Sequence, residues 1–450
     1  MFCLKLLKSM AMKIIIFIIL VLCVLTIYRS SDEEVTLPYD SANADTQDIL
    51  PAKQVEFWIT SNEDNENEEL LQQLVNLFNS QHELIKVNLE LKSEEYFYKI
   101  FSTAIASQTN PDVSILHNAQ AVQFWDRGFL FSLDSVINNI EDEGYVFYPQ
   151  ALEQTMLYKQ YFGIPISIEN YILLLRKDIF ASHHIKIPEN LSELLQALRL
   201  LEQKGEAGIA LPTKGILASR SLLYFIQVNG GTLFKDDGRI QLESDKNNEV
   251  YEFLHTLSSE GLIYDGESQL NINDITNLII NEEAAVVLTS PTILRDIYNK
   301  TDKDFIKNLD ILSLRGFDDV FYSSGPAFSD ILCVYKNSQR KEEAKVFVEW
   351  LCKNYSTLWA KNQGGDIPSI ITDNEAAILN EEFSRKVFGK IMTKTSYPSY
   401  PHPNSINYIV IEGTSVFNDF IFDLYEQVNL DEMLAAYQNE IDGWSLRFNR

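Results

Sequence analysis

The stretch YFGIPISIENYILLLRKDIF, Tyr161 to Phe180, combines three patterns within a short length of chain. Pro165 favours extended geometry for the residue before it, so residues 164–167 are expected to form an exposed or half-exposed extended run. Residues 171–175 are continuously apolar, which is typical of a strand covered on both faces, and the RKD triplet after them turns the chain toward a helix. This combination suits a chain that crosses between two lobes, and a ligand cleft is expected at the crossing.

The chain before this stretch alternates between strand and helix patterns. Strand patterns, of which the first is VEFWIT and the last is DVSIL, enclose stretches in which apolar residues recur at helical spacing. This order predicts an α/β layer with a mainly parallel sheet, and ligands bind such sheets beyond the carboxyl ends of the strands. The strands are predicted over residues 55–60, 85–91 and 112–116, and the helices over 68–80 and 95–107.

The alternation continues after the opening stretch. Apolar runs predict further buried strands, and amphipathic stretches predict further helices. A proline-rich loop followed by two helices is expected from residue 397 to the end. The strands are predicted over residues 284–291, 309–314 and 331–335, and the helices over 191–203, 218–229, 248–260 and 341–353.

Length and charge limit the class of protein. A chain of 450 residues exceeds the size at which one hydrophobic core keeps growing, so two lobes are the default expectation. The formal net charge of -27 disfavours binding to nucleic acid and to anionic lipid surfaces. The acidic run NEDNENEE, residues 62–69, lacks the spacing and the glycine of a calcium loop, and no Cys/His spacing indicates zinc. We therefore expect no metal, no cofactor and no nucleic-acid partner.

The N-terminal residues carry the pattern of an export signal. Lysines precede an apolar run, residues 14–27, which is short for a bilayer-spanning helix but with its flanks suits a tilted anchor. Cys23 lies in LVLC, which resembles a lipoprotein lipobox, although Leu22 stands where that pattern has a small residue. A cleaved signal, an uncleaved anchor and lipidation all stay open. Residues 1–29 are assigned to a signal or anchor segment and 30–52 to a polar tether, with the remainder outside the membrane.

The folded part of the chain has two cysteines, Cys333 in the strand pattern ILCVY and Cys352 on a predicted helix. Free cysteine is often buried as a small apolar side chain. Buried thiols are therefore favoured over a disulfide between these two residues.

The motifs of the chain, in their order and spacing, resemble the extracellular solute-binding proteins of bacterial ABC importers, in the family that includes the maltose-, multiple-sugar- and glycerol-phosphate-binding proteins. The resemblance covers roughly residues 53–444. Each motif alone is weak, but the ordered set is specific. The motifs are VEFWITS from Val55, YFYK from Tyr96, NPDV from Asn110, GIPISIENYILLLRKDIF from Gly163, NGGTLF from Asn229, EEAAVVLTSP from Glu282, CVYKNSQRKEEAKVFVEWL from Cys333 and GGDIPSI from Gly364.

The resemblance implies a periplasmic-binding-protein-like α/β fold, in which a three-segment hinge joins two lobes with the ligand cleft between them. The positions of the motifs place the crossings near residues 163–167, 288–291 and 351–356. A ligand that touches both lobes stabilises only the closed form, so its binding drives closure of the hinge. Lobe 1 is accordingly assigned to residues 53–165 plus 289–352, and lobe 2 to residues 166–288 plus 353–450.

Candidate ligand contacts lie at the predicted strand ends, crossings and loops. Sugar sites combine an apolar surface for the ring with carboxylates or amides that hydrogen-bond to hydroxyl groups. For Trp58 a place in the core, and for His117 and Glu169 an ordinary surface position, stay open as alternatives. The candidates are Trp58 and Ser61 at the end of the first strand, Tyr96 after the second, His117 and Asn118 after the third, Ser167 and Glu169 in the first crossing, Ser290 in the second, Asp366 in GGDIPSI and His402 in the proline-rich loop.

Some positions depart from the pattern of the family. Relatives often carry an aromatic residue where this chain has Gln227, before its GG pair, and where it has Thr292, after the second crossing. Both residues are candidate contacts in their own right. PAFSD, residues 326–330, replaces a glycine-rich loop, and Asp366 stands where an apolar or aromatic residue is common. The sequence therefore predicts weak recognition of ring faces and a small, polyhydroxylated or cationic solute.

The leading functional hypothesis is an exported, membrane-tethered protein that binds a sugar-like solute or polyol and delivers it to an ABC permease. We expect a monomer at the extracytoplasmic face of the bacterial cytoplasmic membrane, held there by an anchor or a lipid, or released. A glycosidase would need two positioned carboxylates, and no motif singles out a pair, so no enzyme is expected. The alternative is a sensing or surface binding module with the same fold, because fold does not fix function.

Overall fold

Two β-sheets organise the chain in the computed structural model, which describes residues 51–61, 66–93, 96–206, 208–212, 215–235, 237–264, 270, 272–290, 293–323, 325–361, 367–371, 415–426 and 429–448. The predicted signal or anchor segment, and the predicted tether up to residue 50, lie outside these residues. Within the described ranges, no helix is both long enough and apolar enough to cross a bilayer.

The N-terminal part of the chain alternates between strands and helices, which confirms the elements predicted before Tyr161 to within a few residues. The elements are β1 Lys53–Ser61, α1 Glu66–Gln81, β2 Ile85–Ser93, α2 Phe97–Ser107, β3 Val113–His117, α3 Asn118–Asp126, α4 Asp134–Asp142, β4 Val146–Phe147, α5 Pro149–Glu153, β5 Met156–Leu157, β6 Gln160–Tyr161 and β7 Ile164–Asn170.

The remaining elements also follow the predicted order, although the helix expected over residues 341–353 continues to Lys361. They are β8 Ile172–Arg176, α6 Lys177–Ser182, α7 Leu191–Glu202, β9 Ile209–Ala210, α8 Gly215–Val228, α9 Asp245–Ser259, α10 Ile272–Ile280, β10 Val286–Thr289, α11 Ile293–Lys300, α12 Lys303–Lys307, β11 Leu309–Leu312, β12 Ala327–Val334, α13 Lys341–Lys361, β13 Ile367–Pro368, β14 Ile370–Ile371, α14 Ser415–Glu426 and α15 Leu430–Phe448.

The larger sheet has six strands in the order β13-β7-β12-β3-β1-β2. Strand β1 runs parallel to β2 and β3, whereas β12 runs antiparallel to β3 and β7. The smaller sheet has four strands in the order β11-β8-β10-β9, with β8 antiparallel to both of its neighbours. Short pairs β14-β4 and β5-β6 lie beside them.

Helical periodicity places α1 against the larger sheet. Its residues Leu74 and Phe78 are buried together with Val55 and Phe57 of β1, and Phe78 and Phe57 both contact the ring of Phe347 on α13 edge to face. Burying aromatic and aliphatic side chains contributes about 1.5–3 kcal/mol each to folding. One face of the six-stranded sheet is thus covered by α1 and α13, two helices that lie far apart in the sequence.

The expectation that residues 164–167 are exposed is wrong. All four are buried, because β7 pairs with β12 on one side and with β13 on the other. Pro165 has no N–H to donate, but its carbonyl oxygen accepts a hydrogen bond from the hydroxyl of Ser369 at 2.5 Å. A strand this close to the edge of a sheet tolerates proline, since only one ladder hydrogen bond is lost.

The sheets also place the crossings elsewhere than predicted. Strand β7 belongs to the six-stranded sheet as far as Asn170, so the first crossing lies between Asn170 and Tyr171 instead of near residues 163–167. Strand β11 pairs with β8 in the four-stranded sheet, although its residues were assigned to lobe 1. The return to the six-stranded sheet therefore falls between Leu312 and Ala327. Strand pairing over long sequence separations decides both positions, and local pattern does not reveal it.

Strand β7 carries an irregularity opposite β12. Ser167 pairs with Asp330 but Pro165 pairs with Ile331, so Ile166 is an extra residue without a partner on β12. Such a β-bulge shifts the alternation of side chains by one position. Ser167 and Glu169 therefore lie on the same side of the strand as Ile164, whose partner Leu332 is buried in the core with it.

The two cysteines of the described part are free and buried, which confirms the expectation from the sequence. Burial raises the pKa of the Cys333 and Cys352 thiols, because the thiolate is poorly solvated in an apolar interior.

We expect neither thiol to react with a maleimide in the native protein, and both to react fully in guanidinium chloride. Mass spectrometry of the two cysteine-containing peptides measures each site separately. Rapid labelling of either peptide under native conditions would contradict the burial.

Candidate functional site

The ends of three neighbouring strands bring polar side chains together in the six-stranded sheet. Asp330 of β12 pairs with Ser167 of β7 on one side and with His117, the last residue of β3, on the other. Directly paired residues point to the same face of a sheet, with side chains close enough to interact. His117, Asp330 and Ser167 thus form a polar row across the sheet, close to the first crossing.

Hydrogen bonds connect the polar row through the Asp330 carboxylate. Nδ1 of His117 lies 2.9 Å from Oδ1, and the hydroxyl of Ser167 donates to Oδ2 at 3.3 Å. Burial by itself raises the pKa of Asp330, but the hydrogen bonds from His117 and Ser167 and the charge of Arg220 outweigh it and hold this pKa below its ordinary value. The side chains of His117 and Asp330 remain 41% and 27% exposed, so a small molecule can reach them.

A second polar group adjoins the row on the same face of β7. Nη1 of Arg220, on α8, donates to Oε2 of Glu169 at 2.6 Å and to the hydroxyl of Tyr171 at 2.8 Å. The guanidinium lies 4.6 Å from the ring centroid of Phe328, the residue paired with Glu169, and 5.4 Å from that of Tyr171. Arg220 therefore covers both rings while it holds the carboxylate.

The polar row includes two of the predicted contacts, His117 and Ser167, and Glu169 lies beside it. Asn118 points into a different network, where its amide donates to Gln154, and Gln154 in turn donates to Ser329 on the buried side of β12. The predicted contacts therefore divide between two networks on either side of β12.

Other predicted contacts lie in different surroundings. Trp58 packs edge to face on Phe101, and the ammonium of Lys92 lies 3.9 Å from the centroid of its ring. Tyr96 precedes α2 and is exposed, whereas Ser290 is fully buried. Gln227, near the end of α8, is buried, and its side-chain amide oxygen has no hydrogen-bond partner among the described residues.

The remaining predicted contacts are less fully described. Ser61 ends β1, where it pairs with Ser93 of β2. Thr292, Asp366 and His402 lie outside the described residues.

Sequence reasoning missed several residues of this region. Asp330 was noted only as part of PAFSD, and its link to His117 depends on a pairing between strands more than two hundred residues apart. Arg220 stands as a single charged residue in the otherwise uncharged and largely apolar helix GILASRSLLYFIQV, which is a signal that could have been used. Charged residues are rarely buried without a partner, so an isolated arginine on a buried helix predicts a carboxylate nearby.

The described residues also line an open pocket of about 270 Å³ that shares no residue with the polar row. It lies between the end of α2 and the end of β12, with Ile105, Phe129 and Tyr335 among its lining residues. Within the described ranges, no cluster of His, Cys, Asp or Glu side chains is arranged to hold a metal ion.

Fold and polar row together define an α/β protein with two main sheets, which carries hydrogen-bonding side chains where the chain passes from one sheet to the other. Residues 63–354 match the model of a family described as bacterial extracellular solute-binding protein, and the chain belongs to this family.

Proteins with similar sequences are named as binding proteins. A Brucella abortus (strain 2308) protein named as a binding protein is 24% identical over 298 residues, which cover 64% of this chain and 69% of that protein. YcjN of Escherichia coli K12, named as an ABC transporter periplasmic-binding protein, is 19% identical over 407 residues, which cover 86% of this chain and 92% of YcjN.

Solved structures share the fold over most of the chain. A sugar transporter protein of Arthrobacter chlorophenolicus A6 with bound laminaribiose has a TM-score of 0.75 at 21% identity and covers 87% of this chain and 99% of its own. MalE of Xanthomonas citri has a TM-score of 0.74 at 17% identity, with 88% and 98% covered. A solute-binding protein of Agrobacterium radiobacter K84 in complex with ribitol has a TM-score of 0.70 at 16% identity, with 88% and 99% covered. The periplasmic-binding-protein-like fold expected from the motifs is confirmed.

Proposed function

We propose that this chain captures a small sugar or polyol between two lobes, one around each sheet, and delivers it to the permease of an ABC importer while its N-terminal segment holds it at the membrane. The polar row beside the first crossing carries the proposal, because it places a carboxylate, a hydroxyl and an imidazole where both sheets are close. The bound laminaribiose and ribitol of the two structural neighbours support a sugar or polyol as the solute.

The aromatic rings beside the polar row, and Trp58 among the predicted contacts, favour a small solute over a long oligosaccharide. Arg220 lies over Tyr171 and Phe328, and Lys92 lies over Trp58, so cations already cover these ring faces. Sugars bind aromatic residues through such faces, whereas carboxylates, hydroxyls and imidazoles recognise the hydroxyl groups. Recognition is therefore proposed to depend on hydrogen bonds to hydroxyl groups, with little stacking on rings.

A solute that contacts both lobes stabilises the closed form only, and its differential affinity supplies the free energy of closure. The permease then distinguishes closed from open protein. This last step is implied by the family, whereas the tether is inferred from the lysines and the apolar run of the N-terminal residues. A monomeric state completes the proposal.

A thermal-shift screen tests the proposal directly. The full-length chain, in a detergent without sugar headgroups, is heated with ribitol, a hexose, laminaribiose, a long maltodextrin, a sugar phosphate and an aliphatic amine. A ligand at a hundred times its Kd adds about 2.7 kcal/mol to the free energy of unfolding. We expect the largest increase in Tm with a polyol or a monosaccharide.

Calorimetric titration of the best ligand then gives its Kd and stoichiometry, for which we expect one site per chain. A long maltodextrin as the tightest ligand would contradict recognition through hydroxyl groups. No shift with any sugar or polyol would contradict the proposed function itself.

A further inference from the structure

Arg220 and Glu169 come from elements that belong to different sheets, a helix packed on the four-stranded sheet and a strand of the six-stranded sheet. Glu169 belongs to β7 of the six-stranded sheet, whereas Arg220 belongs to α8, whose apolar residues share a core with Leu173 and Leu175 of β8 in the four-stranded sheet. We refer to each sheet, together with the helices packed on it, as a body. The ion pair between Arg220 and Glu169 therefore connects the two bodies. The side chains are only 11% and 23% exposed, so solvent screens this pair less than an ordinary surface pair.

The geometry of the pair fixes the direction of the carboxylate. One oxygen of Glu169 accepts from Arg220 at 2.6 Å, and the other accepts from the hydroxyl of Tyr171 at 3.4 Å. The guanidinium, over the ring of Phe328, cannot rotate away without losing that contact. A carboxylate has about four acceptor positions, so Glu169 keeps capacity for hydroxyl groups of a solute while its orientation is set.

The pair also borders the space that is open to solvent. Glu169 lies two residues from Ser167 on the same face of β7, and Phe328 lies two residues from Asp330 on the paired strand. Because Asp330 and His117 are partly exposed, a solute on the polar row would lie next to the Glu169 carboxylate.

We infer that Arg220 is a positioning residue for solute binding, which orients Glu169 from the opposite body and so makes affinity depend on contact between the two bodies. This inference depends on the proposed function, because it concerns the same site. Arg220 would act through Glu169, without a need to touch the solute itself.

A double-mutant cycle on the full-length chain tests the inference, with ribitol as the probe and laminaribiose as a second one. Arg220→Gln should raise Kd by about ten- to hundredfold, the range for loss of a hydrogen bond to a charged group. Arg220→Lys keeps the charge but not the planar contacts, and should recover part of the affinity. The double variant with Glu169→Gln should bind within about twofold of Glu169→Gln alone, since the two residues act together.

A role in folding alone would not produce this coupling in Kd. Arg199→Gln is the matched control, because Arg199 on α7 pairs with Glu260 at 2.6 Å on the surface, so the charge change is the same. We expect its Kd to equal that of the wild type. Additive effects of Arg220→Gln and Glu169→Gln would overturn the positioning role.

Hydrogen exchange provides a readout that needs no solute. The Tyr171 amide donates to the carbonyl of Pro326 at the crossing, at 3.0 Å, and Arg220→Gln should make peptides that span residues 167–173 exchange faster. Unchanged exchange would overturn the link between the bodies. If the wild-type chain binds neither probe and no other sugar or polyol, the proposed function fails, and the exchange rates still decide whether Arg220 holds the two bodies together.

Discussion

Asp330→Asn is expected to weaken solute binding by about thirtyfold or more, which corresponds to about 2 kcal/mol, within the range for the loss of a hydrogen bond to a charged group. The substitution keeps the shape of the side chain but replaces one acceptor oxygen with an amide that donates. Both oxygens of Asp330 accept hydrogen bonds, one from His117 and one from Ser167. In the variant, the new amide NH₂ group therefore opposes one of these two donors, and that hydrogen bond is lost.

Calorimetric titration with the best ligand of the screen measures this effect. Asp304→Asn is the control, since Asp304 lies on α12 with its side chain 88% exposed and the change in charge is the same. If Asp330→Asn folds and binds with the affinity of the wild type, the polar row is not part of the binding site.

The same substitution should change the dependence of stability on pH. The pKa of Asp330 is lower in the folded protein than in the unfolded chain, so its ionisation stabilises the fold above the ordinary aspartate value of about 4. This contribution is lost as the pH falls through the folded-state pKa. Denaturant unfolding between pH 3 and pH 6, a range set around that ordinary value of about 4, should give a flatter curve for Asp330→Asn than for the wild type. Parallel curves would contradict the assigned pKa direction.

Gly325→Ala is expected to destabilise the protein by about 3 kcal/mol or more, through backbone strain and overpacking together. Gly325 has a φ of +119°, and a Cβ there would lie 2.5 Å from the carbonyl oxygen of Tyr171 and 2.7 Å from the ring of Tyr224. The backbone of the crossing cannot move away without displacing Tyr171, which holds both Arg220 and Glu169. Solute affinity should therefore fall together with stability.

Gly205→Ala is a control that introduces backbone strain at a positive φ without a steric clash at the added Cβ. Gly205 also has a positive φ, of +75°, but no atom lies within 4 Å of its added Cβ. Its substitution should cost about 1–2 kcal/mol, the price of a left-handed residue alone. Denaturant unfolding of both variants measures the difference, and equal costs would show that the crossing accommodates a side chain.

Local patterns were sufficient to predict most of the elements of this fold. Apolar runs and helical spacing gave the strands and helices around β1 and β3, since each depends on residues close together in the chain. Burial of residues 164–167 was not predictable, because it depends on β12 and β13, which lie far along the sequence.

The residues of the candidate site could be nominated only in part, for the same reason. Ser167 and Glu169 were nominated because they alternate within one strand. Asp330 and Arg220, which hold them, come from distant segments whose pairing only the folded chain shows.

The extra residue Ile166 allows the polar positions of β7 to change independently of its core positions. Without it, Ser167 and Glu169 would turn to the other face of the strand, and apolar residues would face Asp330. With it, one strand supplies a core residue at Ile164 and polar groups three and five positions later, on the same side. In the proposed site, substitutions at positions 167 and 169 would therefore change the solute preference while the packing around Ile164 stays the same, so that the bulge would allow specificity to change on a constant scaffold.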